Sequence, residues 1–521
     1  MNGAQSLVKT LLASGVDTCF ANPGTSEMHF VAALDENPAM RCILCLFEGG
    51  TSGAADGYFR MSGRVAATML HLAPGFGNAY SNLHNARKAG SGMVNIMGDH
   101  ATYHLAFESP LKGDTEGISR TISHWTRSSL SASDVARDGA EAVRVARSAN
   151  GRIATLVLPA DTAWGDGSEP VQALEPPALF RPSSAELDAA AEALKADGAA
   201  LLLGGQATHG PLLRLGAQIA QAADCRLMVP LHSPRLERGA GTPPVEQLLY
   251  PVDANAELLK GVRSLVVCGT HAPVNFFAYP GKPSVPTRPD IHVQDLADET
   301  MDLAFVLNGL ADRLGAHSET VAPVELALPE RPEGALTATS AGALIARAMP
   351  ENAIVVNEAV TSGAPITTAT RTGPHHDWLI TMGGAIGQCL PCATGAAVAC
   401  PDRKVLALTG DGSAMYTLQS LWTMARERLD VTVIVFANRG YQILHGELAN
   451  LGVTQVGRNA RAMFDVEDPT LDWVALAEGH GVPGTRATTI DEMEAALDEA
   501  LAAPGPRLIE VVLSRLIPAA A

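Results

Sequence analysis

The chain has 521 residues, 47% of them hydrophobic and 18% charged, so it is long enough for several domains with sizeable cores and too apolar for general disorder. Thirty-seven Lys and Arg against 55 Asp and Glu leave a net charge of −18. That acidity argues against nucleic acid or an anionic membrane as the main partner, while leaving room for a local anion site.

The opening stretch MNGAQSLVKTLLASGVD has no basic region followed by an apolar core and a cleavage site. It reads as a helix of the mature protein and makes the cytoplasm the expected location. Strands are predicted at TCFANPG, RCILCLFE, VAATMLHLAPG, GMVNIMGD and IATLVLPA, with helices at SGAADGYFRMS and GNAYSNLHNARKAG between them. Cys42 and Cys45 stand in an apolar run and read as buried, reduced thiols rather than half of a zinc site; Cys389 and Cys392 read the same way. A Pro-rich linker at 167–184 closes a first domain, 1–166. The second domain, 185–322, has predicted strands at AALLLGG, RLMVPL, SLVVCGT and DIHVQDL. Its Gly204, Gly205 and Gly210 lack the G-x-G-x-x-G spacing, so a nicotinamide dehydrogenase has little support. A second linker, 322–337, leads to a third domain, 338–521, with strands at AIVVNEAV, KVLALTGDG, VTVIVFANRG and PRLIEVVLS. Within it, residues 378–401 carry no charge over a length that could span a bilayer, but the glycines, alanines and Pro391 there point to close packing against a sheet. Strands alternating with helices throughout predict an α/β protein of three doubly wound parallel-sheet domains, with ligands in the loops beyond the carboxyl ends of strands. No short-period repeat is visible.

Two of those loops carry chemistry. In LTGDGSAMY an apolar strand stops at Gly410-Asp411-Gly412, and 27 residues after Asp411 another ends in Asn438 and Gly440. If the strands are neighbours, the Asp411 carboxylate, the Asn438 amide oxygen and the Gly440 carbonyl converge as hard ligands for Mg²⁺ or Ca²⁺. Gly410, Gly412 and the Ser413 hydroxyl then admit a diphosphate to the backbone at a helix N-terminus. The bland alternative is a turn and a helix cap; the pairing of the two loops favours the metal–diphosphate site.

GDGSAMY and FANRGY together resemble the cofactor signature of the thiamine diphosphate enzymes, with Ala437 in place of the first Asn of the usual Asn-Asn and Asn438 in the metal-ligating position. The resemblance covers the whole chain as pyrimidine-binding, central and diphosphate-binding domains, and is greatest to the branch holding benzoylformate decarboxylase and acetolactate synthase. It implies that Glu48, in CLFEGGTSGAADGYFR, bonds the cofactor's pyrimidine nitrogen and shares a proton with it, so that the ring's own exocyclic nitrogen becomes the base that activates the thiazolium carbon. It implies that Ile386, in TMGGAIGQCLP, props the two rings apart, that the Gly384 carbonyl accepts from the aminopyrimidine, and that Thr361 and Ser362 meet the diphosphate. The reaction implied is cleavage of a 2-oxo acid with loss of CO₂, the product carbon then being protonated or joined to an aldehyde or second oxo acid.

For the substrate, NPGTSEMHF resembles the loop that sets a hydroxyl near the substrate carboxylate, which nominates Thr25 with Ser26 beside it. MLHLAPGFGNAYSN resembles the segment with an active-site histidine, which makes His71 the acid/base candidate and puts Asn78 on the same loop; His100 and His104 are expected further out. Three departures bear on the product. Ala278 stands where benzoylformate decarboxylase has a second histidine, Leu444 where pyruvate decarboxylase has a glutamate, and QILHGELAN lacks the Trp of acetolactate synthase. Phe276, Phe277, Ile443 and Leu444 read equally as an apolar acyl pocket and as plain core. The alternatives are acetolactate synthase-type condensation of pyruvate and a catalytically silent cofactor-binding homologue, and the sequence leaves open whether FAD binds. Family assembly implies a homodimer at least, and a homotetramer by extension, with cofactors gripped between two chains.

Overall fold

The structure is a computed structural model that describes residues 1–453 and 455–514. The first helix, α1 (Gly3–Ala13), lies in the opening stretch read as helical, and its start is capped: the Asn2 side chain accepts from the Gln5 amide and the Gln5 side chain reaches back to the Asn2 amide.

In the first third of the chain the strands are β1 (Thr18–Ala21), β2 (Arg41–Leu44), β3 (Ala66–Leu70), β4 (Met93–Asp99), β5 (Trp125–Ser128) and β6 (Ile153–Pro159). The middle holds β7 (Ala199–Leu203), β8 (Arg226–Val229), β9 (Leu236–Arg238), β10 (Glu246–Gln247), β11 (Ser264–Cys268) and β12 (His292–Ala297). The last third holds β13 (Ala353–Glu358), β14 (His376–Ile380), β15 (Val405–Gly410), β16 (Val431–Ala437), β17 (Gly484–Ala487) and β18 (Arg507–Val512). They form three sheets in the orders β2-β1-β3-β4-β6-β5, β10-β8-β7-β11-β12 and β17-β18-β16-β15-β13-β14-β9. Read from β14, the third sheet repeats the order of the first, a duplication of fold with no counterpart in the residue pattern. Every pairing is parallel except that of β9 with β14. That strand departs from the expected all-parallel arrangement and carries the middle segment into the third sheet.

Residues in β15 and β16 alternate between two cores. Val405, Ala407, Val433 and Val435 join a cluster with Phe20, Leu70 and Leu83 of the first segment. Leu406, Leu408, Ile434 and Phe436 join one with Leu201 and Val266 of the middle. The uncharged stretch 378–401 begins within β14 and continues into a buried helix, and among the described residues no helix is long and apolar enough to cross a membrane. Its helix α5 (Cys389–Ala399) crosses α2 (Glu48–Ser62) at backbone distance, with α3 (Leu72–Ala89) alongside and α4 (Val360–Ala369) following β13. A β-carbon on Gly57 would lie 2.0 Å from the Cys392 carbonyl oxygen, and one on Gly395 would lie 1.8 Å from that of Ala54. Glycine alone permits this approach. Cys45, Cys389 and Cys392 are buried as expected, but Cys42 is exposed, because β2 is an edge strand.

Candidate active site

In the first and third sheets the chain turns to opposite sides of the sheet after β1 and β3 and after β13 and β15. Loops leaving such a reversal diverge and open a crevice at the carboxyl edge. The nominated residues gather at these two crevices.

In the third sheet, Thr409 pairs with Glu358 and Gly410 with Phe436, so β13, β15 and β16 end level. Gly410 is the extended cap of the single turn α6 (Asp411–Ala414), in which Asp411, Gly412 and Ser413 are buried. The carboxylate of Asp411 reaches across to the next loop: Oδ2 accepts from the Arg439 amide at 2.7 Å and Oδ1 from the Gly412 amide at 2.9 Å. Burial pushes its pKa up to about 6 against the pull of these amides. Asn438 turns its Oδ1 to the Gly440 amide at 3.1 Å. One carboxylate, one amide and one carbonyl on adjoining loops, with the carboxylate bonded only to backbone donors, fit a hard cation shared with phosphate oxygens. Gly412 gives way to Tyr441, whose ring would be 2.5 Å from a β-carbon there. Val360, held at φ +45°, opens α4, and Thr361 and the buried Ser362 follow it in the first turn. A β-branched residue in that region is strained, and such strain collects at functional turns.

The segment 383–387 between β14 and α5 carries Gly384 at φ +73° and Gly387 at φ +91°, with the half-buried Ile386 between them. The Gly387 carbonyl accepts from Thr417 Oγ1 at 2.9 Å. Next to it Glu358 is fully buried, accepting from the Gln388 amide at 2.8 Å and from Thr409 at 3.3 Å, and burial raises its pKa to about 7. Phe276 covers Gly384, its ring tip 2.6 Å from where a β-carbon would be. It is 44% exposed and belongs to an aromatic group with Phe277, Tyr250 and His232, so it lines a surface rather than a core. Ile443 is half-buried and Leu444 exposed on α7 (Gln442–Asn450). Glu447 of the same helix accepts from the Tyr250 and Tyr279 hydroxyls at 3.0 and 2.8 Å.

In the first sheet, Glu48 opens α2, is 5% exposed, and accepts from Asn78 Nδ2 at 2.9 Å. His71 caps α3, and Leu72 after it is held at φ +48°. The His71 Nδ1 lies 2.9 Å from Glu27 Oε2 and 3.3 Å from Ser26 Oγ. Glu27 is buried, and it also accepts from the Gly24 amide at 3.0 Å and from Ser26 Oγ at 2.6 Å. Of the two hydroxyls nominated near the substrate carboxylate, Ser26 is the one at the histidine; Thr25 is exposed at the head of the same turn. His100 bonds Ser109 and lies against the tilted ring of His104, with centroids 5.5 Å apart, separate from these contacts.

Glu27, Asn82, Asn85 and Glu358 went unnoticed in the sequence. The signal for Glu27 was its neighbours: a β-carbon on Gly24 would fall 2.0 Å from the His71 ring and one on Gly98 1.8 Å from the Glu27 carboxylate. Only the fold brings these glycines together.

The N-terminal thiamine pyrophosphate-binding domain of thiamine pyrophosphate enzymes matches residues 1–122, and the C-terminal one matches residues 364–511. The chain is 47% identical to the Mycobacterium tuberculosis (strain H37Rv) protein described as "Putative acetolactate synthase large subunit IlvX", over 99% of this chain and all of that one. It is 28% identical to benzoylformate decarboxylase of Pseudomonas aeruginosa over 97% of both chains. The thiamine diphosphate-dependent 4-hydroxybenzoylformate decarboxylase of Rhodococcus jostii RHA1 shares the fold, with a TM-score of 0.87 over 99% of each chain at 24% identity. On these grounds the chain belongs to the thiamine pyrophosphate enzyme family.

Proposed function

We propose that the protein cleaves a 2-oxo acid with release of CO₂, using thiamine diphosphate and Mg²⁺, and either protonates the product carbon or joins it to a second carbonyl. The observation that carries this reading is the buried Asp411 carboxylate, bonded to the neighbouring Asn438–Arg439 loop and, among the described residues, accepting from backbone amides and no basic side chain. In this reading Asp411, Asn438 and the Gly440 carbonyl hold the cation, while Gly410, Gly412, Ser413, Thr361 and Ser362 meet the diphosphate. Ile386 and the Gly384 carbonyl hold the ring system, and Glu48 shares a proton with it. Bound there, thiamine diphosphate supplies the carbon nucleophile and the electron sink.

The rest is work for this chain's own groups. His71 moves a proton at the substrate's carbonyl oxygen, with Glu27 fixing the ring and Ser26 beside it for the carboxylate. Phe276, Ile443 and Leu444 wall the acyl side, which suits an apolar or aromatic acyl group. Similarity to the acetolactate synthase-like relative favours a second outcome, condensation of pyruvate. Product analysis over a panel of 2-oxo acids, with and without an acceptor aldehyde, separates the two. Aldehyde or 2-hydroxyketone from an aryl substrate supports the first reading, acetolactate from pyruvate the second, and absence of CO₂ release from every acid overturns both.

A further inference from the structure

One face of α3 is occupied by amides. Asn78, Asn82 and Asn85 follow at i, i+4 and i+7, the spacing that stacks side chains along a helix. Asn82 and Asn85 are 1% and 0% exposed. A buried carboxamide is costly unless its donors and acceptor are all engaged, and these are engaged with another domain's backbone. Asn85 Oδ1 accepts from the Gly383 amide at 3.1 Å and the Ala385 amide at 3.3 Å, while its Nδ2 donates to the Ala385 carbonyl at 2.8 Å. It therefore grips the chain on both sides of Gly384 and leaves the Gly384 carbonyl itself without a hydrogen-bond donor among the described residues. His84 adds a contact from its Nε2 to the Gly383 carbonyl at 3.2 Å. One turn earlier, Asn82 Nδ2 donates to Gly49 O at 2.8 Å and to Gly387 O at 3.3 Å, and its Oδ1 accepts from Asn85. One turn earlier again, Asn78 holds the Glu48 carboxylate.

We infer that Asn85, braced by Asn82, is a positioning residue that aims the Gly384 carbonyl at the cofactor's aminopyrimidine, while the same helix, through Asn78, holds the Glu48 of its own chain. The inference rests on the thiamine diphosphate reading of this site. Gly384 is itself exposed and has a left-handed backbone, a conformation that by itself leaves the carbonyl's direction free. The two amides and one carbonyl held by Asn85 fix it from outside, as supporting hydrogen bonds orient the ligands of a metal.

The test uses the full chain. Thiamine diphosphate affinity is measured by calorimetry in Mg²⁺, and amide exchange of the 381–388 segment is followed by mass spectrometry in the cofactor-free protein. Asn85→Ala is expected to weaken binding by about tenfold or more and to speed exchange of that segment by about tenfold, the scale of one or two lost hydrogen bonds. Asn85→Asp keeps the acceptor for Gly383 and Ala385 and loses the donor. It is expected to keep exchange near the parental rate and to bind with intermediate affinity. Asn78→Ala should leave the exchange unchanged. Parental affinity or parental exchange in folded Asn85→Ala overturns the inference. If that variant does not fold, Asn85→Asp decides: affinity weakened at least about threefold supports the inference, and parental affinity overturns it. A parent protein that binds no thiamine diphosphate would instead overturn the functional reading beneath it.

Discussion

His71 meets Glu27 through Nδ1, which under the proposed function leaves Nε2 as the ring nitrogen to exchange a proton with substrate. His71→Ala is expected to slow turnover by about a hundredfold or more with cofactor binding intact, the usual scale for one positioned acid/base. Glu27→Gln keeps the shape but weakens the hold on the ring, and should lower kcat by about tenfold while changing KM little. Steady-state kinetics on the two variants checks both. Glu358 makes a separate prediction about stability. Its pKa is raised by burial from 4.5 to about 7, so the folded cofactor-free protein keeps a proton that the unfolded chain releases. The resulting stability is fully present below about pH 4.5 and is lost as pH rises through about 7, on the order of 3 kcal/mol across the window. Glu358→Gln removes the titrating group, so urea unfolding between pH 5 and about 7.5 should show a flatter decline than in the parent. Asp411, between glycines at a strand end, was nominated from its own setting, whereas Glu48 was nominated through the family resemblance of the stretch that carries it. Glu27 and Glu358 were not legible, because what marks them is burial against glycines and amides remote in the chain.

Among the elements, most interior strands could be read directly, since β7, β11, β13, β15 and β16 are largely apolar runs buried along nearly their whole length. The interior strand β14 escaped, with His376 and Asp377 at its start masking the apolar residues after them. The other strands that escaped are of another kind. β5, β10 and β17 are sheet edges with polar residues. β9 is only Leu236–Arg238, with Glu237 and Arg238 buried by tertiary contacts that no periodicity announces. Arg238 packs over the Trp378 ring at 4.7 Å, joining β9 to β14. The crossing of α2 and α5 shows what the uncharged stretch is for. Gly57→Val puts a branched side chain against the Cys392 carbonyl and forces the helices apart. It should cost about 3 kcal/mol in urea unfolding, the upper part of the usual range for overpacking. It should also weaken cofactor binding, because α2 carries Glu48 and α5 follows Gly387. Full stability would contradict the close crossing.

At the scale of the whole molecule, the first and third sheets are the same fold used for two tasks, one presenting Glu48 and His71 and the other Asp411 and Asn438. Within one chain Asn82 links the two through Gly49 and Gly387. The shared-site proposal holds that a cofactor on one chain meets Glu48 of a second. Mixing Glu48→Gln chains with Asp411→Ala chains checks it: each alone should be inactive, and equal mixing should restore roughly a quarter of parental activity, since half the dimers hold one intact site. No recovery despite proven subunit exchange would point to sites completed within a single chain. The central claim, that the crevice between β13 and β15 holds thiamine diphosphate through Mg²⁺ and Asp411, is tested most directly by calorimetric titration of metal-stripped protein with thiamine diphosphate. The account predicts one cofactor bound per chain when Mg²⁺ is present, and binding at least about a hundredfold weaker without Mg²⁺ or in Asp411→Ala. Equal affinity with and without Mg²⁺, or in the parent and Asp411→Ala, would contradict it.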